Sequence, residues 1–80
     1  MEDLLDIRRN LERHFSGIFR SIWVQTSSVK AQRTILLTLF FSSSNEYAFI
    51  TLRNLREVTV EEILSRLDNN SIVNKELDLL

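Results

Sequence analysis

Cysteine and proline are absent from this chain, and glycine and histidine occur once each, as Gly17 and His14. Each scarcity removes a class of protein. Without cysteine there is no disulfide framework, no thiolate zinc site and no thiol nucleophile, so packing alone must support the fold. A single histidine cannot form a His pair around a metal, and Ser16 is its neighbour only along the chain, not a positioned catalytic partner. One glycine cannot make a phosphate-cradling loop. Glu2 and Asp6 are too sparse for a Ca²⁺ or Mg²⁺ cage. The expectation is therefore a protein with no catalytic residues, no metal and no cofactor. Met1–Asp6 is acidic rather than basic and then apolar, so no signal peptide is expected. The longest apolar run falls well short of the ~20 residues of a spanning helix. Both point to the cytoplasm.

What is present suits one small globular domain spanning residues 1–80. The chain is 44% hydrophobic and 26% charged, ordinary for a folded protein. Its net charge of −1 conceals an uneven distribution. Residues 1–6 carry −3, residues 7–56 carry +6, and residues 57–80 carry −4. Eight of the ten basic residues are arginine, which favours forked contacts to carboxylate or phosphate and stacking on rings.

The most telling segment is Thr34–Phe41, Thr-Ile-Leu-Leu-Thr-Leu-Phe-Phe, with no charge and no glycine. A strand buried on one side alternates apolar with polar, whereas a strand buried on both sides reads as a continuous apolar run. The expectation is a central strand covered on both faces, more cover than a chain this short supplies by itself.

Around that strand the periodicities predict an α+β order of helix, three strands, helix. Leu4, Ile7, Leu11 and Phe15 recur at helical spacing, so Leu4–Ser16 is read as a helix capped by Asp3 and stopped by Gly17. Ile18–Ser27 alternates as a strand, with Ile18, Ile22 and Val24 on one side and Phe19 and Trp23 on the other. Ser28–Gln32 connects it to the strand Arg33–Ser43. Ser42–Glu46 is a hairpin loop, and Glu46–Arg53 a third strand with Tyr47, Phe49 and Thr51 opposite Ala48, Ile50 and Leu52. Short loops make this an antiparallel meander. Thr59-Val60-Glu61-Glu62 is a capping box with Val58 and Ile63 as its staple, opening a helix over Val60–Asp68. The apolar extension Ile72–Leu80 fits a short helix or an added strand equally well.

Most polar residues have ordinary duties in this scheme. His14 serves a helix end, Glu61 the helix dipole and Glu62 the cap. Function must then lie in a surface. The leading expectation is a protein–protein interaction or regulatory module using an apolar, aromatic sheet face or edge made of Phe19, Trp23, Leu36, Phe40, Tyr47 and Phe49. The opposite set, with Ile18, Ile22, Val24, Leu37 and Leu39, is the alternative outward face. Its partners would be a second copy in a two-fold dimer and another protein. The rival is RNA or DNA binding, with bases stacked on the aromatics and phosphates held by Arg20, Arg33, Arg53 and Arg56. The same element order occurs in double-stranded-RNA-binding domains. Their second helix begins with a Lys-rich stretch, where this one begins Glu57-Val58-Thr59-Val60-Glu61-Glu62, so no residue roles carry over.

Overall fold

The structure is a computed structural model and describes residues 3–26 and 33–78. Six elements follow one another: α1 (Leu4–His14), β1 (Phe19–Thr26), β2 (Ile35–Phe41), β3 (Tyr47–Leu52), α2 (Val60–Leu67) and α3 (Ser71–Asp78). The strands pair antiparallel in the order β1-β2-β3. The expected α+β meander is the fold found. The connection Ser28–Gln32, Ser27 at the end of the first expected strand, and Leu79 and Leu80 of the tail lie outside the described residues.

Local chemistry explains the helix ends. The Asp3 carboxylate accepts the Leu5 N–H at 2.8 Å, and Asp6 adds negative charge to the first turn. α1 stops at His14, two residues before the expected end, with Phe15 as its cap. Gly17 then turns the chain at φ 87°, a conformation that glycine adopts freely.

In α2 the Thr59 hydroxyl accepts the Glu62 N–H at 3.3 Å, as the capping box requires. The reciprocal half differs. The Glu62 carboxylate accepts instead from the Arg56 N–H at 3.0 Å and the Arg66 side chain at 3.4 Å, the second bond being charge-assisted. Arg66 also donates to the carbonyls of Arg53 (3.2 Å) and Asn54 (2.9 Å), tying α2 to the turn after β3.

The undecided tail is helical. The Asn70 side chain accepts the Ile72 N–H at 2.9 Å and the Val73 N–H at 3.4 Å, starting α3. Val73 is fully buried in the common core.

That core lies on one side of the sheet. Ile7, Leu11 and Phe15 from α1, Ile63 and Leu67 from α2 and Val73 cover Ile22, Ile35, Leu37, Leu39, Ile50 and Leu52. Within β2, Ile35, Leu37 and Leu39 are inaccessible, while Leu36 is 38% exposed and Thr38 and Phe40 are half-buried. The described residues therefore cover the central strand on one face only, and the expectation of two-sided burial is not met among them. Both sets of β2 side chains are apolar, but two short helices, each about 10 Å wide, suffice for one face of three strands about 4.8 Å apart.

Candidate protein-docking surface

The residues left uncovered follow from strand alternation and register. Ser21, Phe40 and Tyr47 form one row across the sheet; Trp23, Thr38 and Phe49 form the next; Gln25, Leu36 and Thr51 form the third. Phe49 is 70% exposed, Tyr47 55% and Trp23 49%. With Leu36 they present roughly 400 Å² of accessible side chain, taking about 150–250 Å² for a whole aromatic residue. A patch of this size is among the largest that monomers usually carry, and such patches are often functional.

The patch has internal order. The Phe40 and Tyr47 rings lie 5.7 Å apart, and Tyr47 meets Phe49 edge to face at 5.2 Å and 78°. Two cations border it. The Arg20 guanidinium stands 5.5 Å from the Phe40 centroid, and that of Arg8 lies 3.9 Å over Trp23. Arg20, Ser21, Trp23 and Phe40 line a shallow recess between them.

Phe19, expected in this patch, is not in it. It pairs with Phe41, and Ser21 pairs with Phe40, so Arg20 is an extra residue bulged out of β1. The bulge changes the alternation and turns Phe19 into the core, where its ring sits 5.5 Å from Phe15. Trp23, Leu36, Phe40, Tyr47 and Phe49 do share the outward face. Ile22, Leu37 and Leu39 are fully buried on the opposite one, and Ile18 and Val24 pack against the core.

The structure does not gather the four arginines of the nucleic-acid reading. Arg20 borders the aromatic patch. Arg33 sits two residues before the opposite end of β2, about 20 Å away at ~3.3 Å per residue. Its guanidinium donates to the carbonyls of Leu55 (3.4 Å) and Arg56. The Arg56 N–H is given to Glu62, and the Arg53 carbonyl receives Arg66.

Sequence reasoning missed Arg8 and Glu12. The Glu12 carboxylate accepts the Ser21 hydroxyl at 3.2 Å and the Ile22 N–H at 3.0 Å, while Arg8 Nε lies 3.6 Å from it. The Ile22 N–H points away from β2, so Glu12 closes part of the free edge of β1 and Arg8 reaches around that edge to Trp23. Their spacing of four was visible as an ordinary helix-surface pair; nothing in it shows that the pair reaches the sheet. Glu12→Ala should cost about 1–3 kcal/mol in a urea unfolding titration, because the Ser21 hydroxyl and the Ile22 N–H both lose their acceptor and Arg8 loses its ion-pair partner.

His14 packs its ring 4.7 Å from Phe15 and is exposed. Among the described residues no three of His, Cys, Asp or Glu gather as a metal-binding set, and no helix is long and apolar enough to cross a membrane. Comparison with known protein families, curated proteins and solved structures finds no match.

Proposed function

We propose that this chain is a non-catalytic, cytoplasmic interaction module that docks another protein on the outer face of its sheet. The observation that carries this reading is the ordered cluster of Trp23, Phe40, Tyr47 and Phe49 on three adjacent strands, left open by every described element. Aromatic side chains on a rigid sheet lose little conformational freedom on binding and supply much of the energy of protein interfaces. The fitting partner is an apolar surface with a carboxylate at its rim to meet Arg20, which forms no ion pair among the described residues.

Protein is favoured over nucleic acid because the arginines that would hold phosphates are not gathered around the aromatics: of the four, Arg20 borders the patch, and Arg33 lies about 20 Å away at the other end of β2. Arg8 lies against one face of Trp23 and Arg20 against Phe40, while Arg33 is committed to backbone carbonyls. The test is photo-crosslinking from a benzophenone amino acid at position 40 in the native cells. The expected product is a discrete protein adduct that disappears in a Trp23→Glu background. An adduct to RNA, together with polynucleotide binding that weakens steeply with salt, would replace this reading by the rival.

A further inference from the structure

We propose that β3 is a pairing edge for a second copy of this chain, joined antiparallel about a two-fold axis through Phe49 into one six-stranded sheet. The Phe41 N–H bonds to the Glu46 carbonyl, and the register that follows turns the backbone groups of Ala48, Ile50 and Leu52 toward β2. The N–H and C=O groups of Tyr47, Phe49 and Thr51 consequently point to the free side. No described residue bonds to them.

The two edges of the sheet are treated differently. β1 is guarded by the Arg20 bulge and by the Glu12 carboxylate on the Ile22 N–H. β3, Tyr-Ala-Phe-Ile-Thr-Leu, has no bulge against β2 and no charge, proline or glycine. Natural sheets usually blunt an edge with one of these devices, and an edge without them is a template for another strand.

The occupant follows from self-complementarity and charge. In the register centred on Phe49, Phe49 faces Phe49 of the second copy, and Tyr47 faces Thr51 at both ends. All three free N–H and C=O sets are then satisfied in each copy. The antiparallel direction also sets Asn45 opposite Arg53 and Glu46 opposite Leu52 of the second copy, so no like charges meet across the seam. Stacking two aromatic faces would instead set Arg20 toward its own copy. The sequence-based dimer through the face thus gives way to one through the edge, which leaves the aromatic face open and doubles it. This inference goes beyond the docking of another protein and does not depend on it.

Sedimentation equilibrium and cysteine cross-linking test it. The mass of the wild-type protein should rise from 9.4 kDa toward twice that value through the micromolar range. Thr51→Pro removes an outward N–H without touching the β2 ladder, and should weaken the dimer on the order of tenfold or more, since two symmetric bonds are lost. Trp23→Glu should leave the dimer intact, which separates this interface from the docking face. In the cysteine-free chain, Phe49→Cys should form a covalent dimer under mild oxidation, since directly opposed residues lie about 5.5 Å apart between Cα atoms. Tyr47→Cys and Thr51→Cys should each fail alone, with like positions about 13 Å apart, and should cross-link when mixed. The cysteine pattern decides even if Thr51→Pro fails to fold. A mass fixed at 9.4 kDa up to millimolar protein, a dimer lost in Trp23→Glu but kept in Thr51→Pro, or a cross-linking pattern other than this one would overturn the proposal.

Discussion

Leu37→Ala should destabilise the fold by about 2–5 kcal/mol, whereas Leu36→Ala, one residue earlier in the same uncharged run, should cost under about 1 kcal/mol. Leu37 is 1% exposed and packed beneath the helices, so its truncation leaves a cavity that the rigid core closes only in part. Leu36 stands on the open face, where water fills the vacated space. Small domains commonly have a total stability near the lower end of about 5–15 kcal/mol, so the first variant loses much of it. Its midpoint of thermal unfolding should fall by about 8–40 °C, at about 4–8 °C per kcal/mol. Circular-dichroism melts of both proteins check the contrast. Similar losses for the two would mean that both sides of β2 are buried. Phe19→Ala belongs with Leu37→Ala, although simple alternation pairs Phe19 with Trp23.

Trp23→Glu should leave the fold standing and abolish docking. Trp23 is about half exposed, its main neighbour is the Arg8 guanidinium, and a carboxylate at the same position gives that guanidinium an anionic partner. The stability change should stay within about 1 kcal/mol. Binding should suffer far more, because a central aromatic anchor commonly contributes 2 kcal/mol or more, about thirtyfold in affinity, and the variant adds a charge that an apolar partner must desolvate. Crosslinking yield and a melt on the same protein measure the two effects. Loss of the fold together with binding would show that Trp23 is part of the core.

The first two helices, the meander and the alternation of β3 were legible because their periodic signals are local. Leu4, Ile7, Leu11 and Phe15 recur at helical spacing, and Tyr47–Leu52 alternates without interruption. The tail was harder. Ile72, Val73 and Leu77 suit more than one period, and the Asn70 side chain that starts α3 is a short-range signal beside a weak stripe. The Arg20 bulge was not legible at all. A bulge adds one residue to one strand of a pair, and only the partner strand reveals the mismatch. It moved Phe19 from the expected patch into the core and left the other five patch residues in place. The single-sided cover of β2 is likewise a property of assembly, since an apolar side chain reads the same whether a helix covers it or another molecule does.

The state of Trp23, the only tryptophan, tests the central claim most directly. Acrylamide quenching of its fluorescence should be efficient in the dilute isolated protein, with emission near that of a solvent-exposed indole. It should fall sharply, with a blue shift, when the crosslinked partner is purified and added back. A Trp23 already shielded in the dilute protein, or one equally quenched with the partner bound, would contradict an open docking face.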